Sequence, residues 1–267
     1  EEFPERVVDT AIAEQHTVTL AAGMAMAGKH PVVAIYSSFL QRAFDQVITD
    51  VALHDLPVTF LIDRAGITGP DGPSHHGAFD LSYLRMVPNM VVGAPADAAE
   101  LAGMIETALD HDGPMAIRFP KASVSAMPLL PAAPVPVGVW EELSEGDDVL
   151  FLAVGRMVEI AQKAAARLAG KGLSCGVVNS RWIKPLDSRL GQWASRYRRV
   201  VTLEDNVVAG GFGAAVMEWM SGSDQVSKVL VLGLPDRFLP AGSVDELLRE
   251  VGLDADGVIK QVGALFS

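Results

Sequence analysis

The chain has 267 residues, 49% of them hydrophobic and 20% charged, a globular profile long enough for two domains with separate cores. Its formal charge of −12 argues against nucleic acid or an anionic membrane as partner, while a local group of arginines could still hold a small anion. No apolar run reaches the roughly 18 residues of a membrane span. No basic, then apolar leader opens the chain, and the lone Cys175 excludes a disulfide framework and fits a cytoplasmic location.

Apolar runs alternate with helical patterns along the whole chain. RVVD (6–9), PVVAIY (31–36), PVTFLID (57–63), NMVVGA (89–94) and MAIRF (115–119) read as strands. Between Thr10 and Gly28 the single acid is Glu14, set in an otherwise Ala-, Val-, Leu- and Met-rich segment. Phe39 to His54 carries one apolar stripe of Leu40, Ala43, Phe44, Val47, Ile48, Val51 and Ala52, and 97–111 behaves likewise, with Asp97 as its start. MPLLPAAPVPVG (127–138) is too rich in proline for a helix or central strand and reads as a linker. Beyond it DVLFLAV (148–154), SCGVVN (174–179), RRVVTLE (198–204) and KVLVLGL (228–234) read as strands. Helices are expected at 156–170, 187–196, 212–220, 243–252 and near the C-terminus. Near-continuous apolar strands of this kind predict mostly parallel sheets covered on both faces. The fold expected is α/β: two three-layer domains, residues 1–126 and 139–267, joined by the 127–138 linker.

Ligands of open parallel sheets bind beyond the carboxyl ends of the strands. Those ends here gather Glu14, Tyr36 with Phe39, Arg64 with the loop AGITGPDGPSHHG, and Arg118. Arg64 and Arg118 singly read as exposed arginines; as a pair they form a fork for phosphate or carboxylate, with Arg42 nearby but ambiguous. Asp71 could simply organise a turn. His75 and His76 diverge as neighbours and have no partner at metal-ligand spacing, so one of them acting as a proton or hydrogen-bond donor is favoured over a metal site. EDNVVAGGFG (204–213) lacks the full dinucleotide fingerprint, and its glycines read as close packing at a helix start more readily than as a phosphate cradle. SRWIKPLD (180–187) and GLPDRFLP (233–240) read as structural turns.

The segments DTAIAEQH, YSSFLQRAFDQ, DRAGITGPDGPSHHGAFDLSYLR and AIRFPK closely resemble the 1-deoxy-D-xylulose-5-phosphate synthases, thiamine-diphosphate enzymes of the transketolase superfamily. RWIKPLD, EDNVVAGGFG and GLPDRF resemble the C-terminal domain of the same family, so the likeness covers essentially the whole chain. It implies a transferase that condenses pyruvate, with decarboxylation, and glyceraldehyde 3-phosphate to 1-deoxy-D-xylulose 5-phosphate and CO₂, in isoprenoid, thiamine and pyridoxal synthesis. It implies that Glu14 hydrogen-bonds N1′ of the cofactor's aminopyrimidine and that Phe39 stacks on that ring. Tyr36, Arg42, Arg64 and Arg118 then lie near the acceptor's phosphate, and Asp71 and His75 are the active-site pair of the substrate loop. His76 falls where members vary and receives no role.

The family's Gly-Asp-Gly…Asn motif, which holds Mg²⁺ and the diphosphate, does not occur in this sequence, so no metal ligand is assigned here. The resemblance places it in an N-terminal diphosphate-binding domain, in the same or a companion chain. A start at Glu1 rather than Met points to a fragment or processed chain, expected to be inactive and to bind the cofactor poorly alone. A homodimer is also expected. The β subunit of a 2-oxo acid dehydrogenase decarboxylase, a split transketolase subunit and a non-catalytic assembly module are the competing readings. The loop around Asp71 and the YSSFLQRA segment speak against the first two, and retention of Glu14, Arg64 and His75 against the third.

Overall fold

The computed structural model describes residues 3–123, 132–222 and 228–266. After a 3-10 turn at Pro4–Arg6, helix α1 (Glu14–Met26) leads into strand β1 (Val32–Tyr36). From there the chain coils without a break but changes pitch. It runs through α2 (Ser37–Leu40), a 3-10 turn (Gln41–Ala43), α3 (Phe44–Gln46) and a π-helical stretch (Val47–Ala52). Next come β2 (Thr59–Asp63), α4 (Asp80–Arg85), β3 (Val91–Gly93), α5 (Ala98–Leu109) and β4 (Met115–Arg118). The second half adds β5 (Glu141–Ser144), β6 (Val149–Ala153), α6 (Met157–Ala169), β7 (Cys175–Asn179), β8 (Trp182–Lys184) and α7 (Leu190–Arg196). It finishes with β9 (Arg199–Val207), α8 (Phe212–Ser221), β10 (Lys228–Leu234), α9 (Val244–Glu250) and α10 (Ala255–Gly263).

The strands make two five-stranded sheets, ordered β1-β2-β4-β3-β8 and β10-β9-β6-β7-β5. In each, the first four strands run parallel and the last edge strand antiparallel. This is the expected α/β architecture, and the burial explains it. All five residues of β6 and all four of β4 are buried, as strands covered by helices on both faces must be. The helices start where capping chemistry allows. Asp97 accepts from the Glu100 amide ahead of α5, and Ser243 with Glu246 forms a reciprocal capping box ahead of α9. Among the described residues no helix is long and apolar enough to cross a membrane.

Three sequence expectations differ from the structure. RVVD joins neither sheet: Val7 and Val8 are exposed and line a groove with Val32 and Val33 of edge strand β1. The Phe39 stripe is helical, but Val47–Ala52 widens to π pitch. Residues 182–184 are not merely a turn. They form β8, which leaves the second half and pairs with β3 of the first sheet, carrying the fully buried Trp182. That crossing is locked by close packing. A Cβ on Gly93 would lie 2.8 Å from the Trp182 ring, the Trp140 indole donates to Trp182 O at 2.8 Å, and the Ala94 amide donates to Arg181 O at 2.8 Å. Residues 127–131 of the expected linker lie outside the described residues. The remainder docks on α5, where the Val135 amide donates to Thr107 Oγ1 and that hydroxyl donates back to Val135 O.

Trp182→Ala is expected to lower stability by about 3–5 kcal/mol, the cost of a large vacated core volume. Urea unfolding checks this; a change below ~1 kcal/mol would show that the β8 crossing is not a packed joint.

Candidate active site

Glu14 is the first residue of α1, and the buried face of that helix runs Glu14, Val18, Ala21, Ala22, Ala25. The carboxylate therefore heads an apolar stripe, at the end of a helix where the backbone dipole favours negative charge. It is 8% exposed, and among the described residues no hydrogen bond or ion pair satisfies it. Its acidic oxygens face an open cleft of about 490 Å³ whose wall also includes Thr10, Tyr36, Phe39 and Arg42.

The aromatic wall follows from the end of β1. Tyr36 closes the strand and α2 begins at Ser37, which lifts Phe39 beside Tyr36 with ring centroids 5.5 Å apart and planes at 29°. His75 meets Phe39 edge-on at 5.5 Å. At the end of the neighbouring β2, Arg64 adopts a left-handed backbone (φ +58°), an unfavourable conformation for a residue with a side chain. Two hydrogen bonds hold it there: the Arg64 amide donates to Asp63 Oδ1 at 2.6 Å, and the next amide, Ala65, donates to Phe119 O at 3.0 Å. The guanidinium then lies 4.0 Å over the Tyr36 ring and 3.3 Å from Asp71 Oδ2. Its Nε is buried with no hydrogen-bond partner among the described residues.

Asp71 also accepts from Lys121 Nζ at 3.0 Å. The Lys121 hydrogen bond first, then the charges of Lys121, Arg64 and His75, outweigh desolvation and hold the Asp71 carboxyl below the usual carboxylate range. The structure thus brings together Glu14, Tyr36, Phe39 and Arg42 on one cleft, and Arg64, Asp71 and His75 on its rim. Lys121, within the AIRFPK run, received no role from the sequence. Its signal was weak because a lysine three residues past a strand end is most often a solvated side chain.

Arg118 does not line that cleft. It is 3% exposed. Its guanidinium donates to Asp80, to Asp205 and to Gly77 O, and Arg156 Nε completes the chain at 3.0 Å from Asp205. Burial alone would lower its pKa, but the charges of Asp205 and Asp80 more than reverse that, so it stays protonated. Asp205 is itself held low by Arg118 and Arg156 against a desolvation penalty, whereas burial wins at Asp80 and raises it. Four of the five N–H donors of Arg118 thus have protein partners: Nε and Nη2 on Asp80, Nη1 on Asp205 and Nη2 on Gly77 O.

The glycine-rich run ahead of α8 is also occupied. Glu204, fully buried, accepts from the Phe212 amide at 2.7 Å and the Gly213 amide at 2.8 Å, so the helix start binds the protein's own carboxyl group. Gly211 leaves no room for a Cβ against that carboxyl. Burial pushes Glu204 up to about 8, although the two amides and Arg118 pull it down. A second cleft, about 550 Å³, contains Glu100, Asn179 and Arg181, but these bond to one another and it has no aromatic wall. No group of three or more His, Cys, Asp or Glu among the described residues could hold a metal ion.

Residues 1–126 match the family described as transketolase, pyrimidine binding domain, and residues 138–258 match transketolase, C-terminal domain. The chain is 51% identical to 1-deoxy-D-xylulose-5-phosphate synthase of Aquifex aeolicus over 97% of its own length and 42% of that protein. It is likewise 51% identical to the synthase of Carboxydothermus hydrogenoformans over 94% of its length and 40% of that protein. It therefore spans about two fifths of these curated relatives. Among solved structures, a split-gene transketolase described as an inactive β4 tetramer superposes with a TM-score of 0.87 at 33% identity, covering 98% of this chain and 84% of that one.

Two outcomes follow from the buried charges. Arg118→Met should cost about 3–5 kcal/mol in urea unfolding, because it leaves buried Asp80 without a counter-charge and Asp205 with Arg156 alone; a neutral result would show that the pairing adds nothing. Glu204, raised from an ordinary 4.5, contributes stability that is complete below that pH and is lost as pH rises through about 8. Carboxyl-carbon NMR should place its titration midpoint near 8, and a midpoint below 5 would contradict the burial argument.

Proposed function

The chain belongs to the transketolase family, and we propose that it forms the aminopyrimidine-binding and C-terminal parts of a thiamine-diphosphate-dependent 1-deoxy-D-xylulose-5-phosphate synthase. One observation carries the reading: a buried carboxylate without a protein partner opens onto a cleft walled by a stacked aromatic pair. Its acceptor oxygens are left for a ligand, and a flat, polar-edged aminopyrimidine is a ligand that fits. The residues present therefore fit this end of the cofactor.

When bound, thiamine diphosphate supplies a carbon nucleophile and the electron sink that lets pyruvate lose CO₂. The rest is the work of this chain. Glu14 holds a proton at N1′ of the aminopyrimidine, and the apolar stripe it heads lowers the local dielectric and strengthens that bond. Phe39 stacks on the ring and Tyr36 backs Phe39. Arg64 and Lys121 receive the phosphate of glyceraldehyde 3-phosphate, with Arg42 at the cleft wall. Asp71 aligns Arg64 and Lys121, and His75 donates a proton to the acceptor's aldehyde oxygen.

Mg²⁺ and the diphosphate belong, in this reading, to a further domain in the same or a companion chain. The length of the curated relatives beyond this chain supports that assignment. A second reading, a subunit of a split transketolase, draws on the structural likeness to the split-gene protein. The synthase reading is favoured by identity near one half to synthases against one third to that protein.

Combining the chain with its diphosphate-binding half decides between them. The synthase reading expects pyruvate and glyceraldehyde 3-phosphate to yield 1-deoxy-D-xylulose 5-phosphate; two-carbon ketol transfer without that product would favour the transketolase. In the same mixture Glu14→Gln should lower turnover about 10²–10⁴-fold, and unaffected turnover would remove the proposed role. Lys121→Met should raise KM for glyceraldehyde 3-phosphate about 10–100-fold, the loss of one charge-assisted hydrogen bond, while leaving acceptor-free decarboxylation of pyruvate intact.

A further inference from the structure

The loop that carries Asp71 and His75 leaves the first sheet through a narrow neck. Gly66 and Gly77 exchange backbone hydrogen bonds at 2.7 and 2.8 Å, so residues 67–76 form a closed excursion. An excursion of turn-forming residues has little apolar surface of its own to fix its tip. Asp71 pairs with Arg64 and Lys121, and two further contacts, both through His76, fix the loop's other side.

The Thr68 amide donates to His76 Nδ1 at 3.1 Å, which makes Nδ1 an acceptor. His76 Nε2 lies 3.1 Å from Pro240 O, and a carbonyl can only accept, so Nε2 carries the proton. The partners alone thus specify a neutral imidazole in the Nε2–H form, 6% exposed. One bond crosses the loop and the other leaves it for the C-terminal half. Pro240 is itself held, because the Ser243–Glu246 capping box anchors the chain at the start of α9 three residues later. The loop rests on the same segment: a Cβ on Gly72 would lie 3.5 Å from Ala241, and one on Gly69 3.4 Å from Gly242 O.

We propose that His76 is a positioning residue for the substrate loop: as the Nε2–H tautomer it ties the loop to residues 240–243 of the C-terminal half, and so sets the place of the adjacent His75 and of Asp71. Its kinetic consequence rests on the function proposed above; its structural consequence does not. The C-terminal half then takes part in acceptor binding without contributing a side chain to the cleft.

Three measurements test this on the full chain. Nitrogen-15 NMR of the histidines should show His76 as the Nε2–H tautomer at neutral pH; an Nδ1–H tautomer or an imidazolium would overturn the proposal. In His76→Leu, amide hydrogen exchange at Thr68 and through 69–77 should quicken about tenfold, the loss of one buried hydrogen bond, with α5 and β6 unchanged. His76→Gln, which presents an acceptor and a donor at comparable spacing, should restore slow exchange; unchanged exchange in Leu, or Gln no slower than Leu, would overturn it. In the enzyme reconstituted with its diphosphate-binding half, Leu should raise KM for glyceraldehyde 3-phosphate about tenfold while acceptor-free decarboxylation of pyruvate holds, and Gln should recover the KM. A fall in decarboxylation with KM unchanged would contradict a positioning role. A wild-type reconstitution that forms no product would defeat the synthase reading, while the tautomer and exchange results still decide the tie.

Discussion

One buried guanidinium sets the frame on which the rest depends. Arg118, at the end of β4, reaches Asp80 at the start of α4, the Gly77 carbonyl at the neck of the 67–76 loop, and Asp205 on β9 of the other sheet. Ser37, the first residue after β1, donates to the same Asp80 at 3.0 Å. Desolvating three charged groups is expensive, and attraction offsets that only when the hydrogen bonding is complete. Here it nearly is. The joint is therefore intolerant of a lost partner, and it aligns three things at once: the end of β1, the loop neck and the two sheets.

With that joint in place, the site is made of features that are costly in isolation. Arg64 sits in a left-handed backbone, and Glu14 is buried without a counter-charge among the described residues. Lys121 and Arg64 share a single carboxylate. Strain and unsatisfied polarity of this kind persist where the surroundings enforce them, and they concentrate where a ligand is to be bound.

Much of this was legible from local pattern. Strands β1, β2, β4, β6, β7 and β10 follow their apolar runs, and helices α5 and α9 begin at their capping residues, because in these places neighbouring residues decide the outcome. Glu14 stood out as an acid in apolar company, and its place at the head of the buried face of α1 agrees. What the pattern could not carry is partner choice across long separations. WIK has the composition of a turn neighbour, and only Gly93, about ninety residues earlier, makes room for Trp182. Arg118 and Lys121 lie three residues apart beyond one strand, and nothing local says which is buried. Asp205, on a distant strand, decides it by capturing Arg118, which leaves Lys121 for the rim. Glu204 filling the start of α8 was equally hidden, since the GGFG run has the same appearance whether its amides await a phosphate or meet the protein's own carboxyl.

The central claim, that this cleft recognises only the pyrimidine end of a cofactor whose other end is held elsewhere, has a direct test in calorimetry. Thiamine diphosphate with Mg²⁺ is titrated into the chain alone, and then into an equimolar mixture with the diphosphate-binding half. Weak, metal-independent binding to the chain alone and tight, Mg²⁺-dependent binding to the mixture are expected. Tight, Mg²⁺-dependent binding by the chain alone would contradict it.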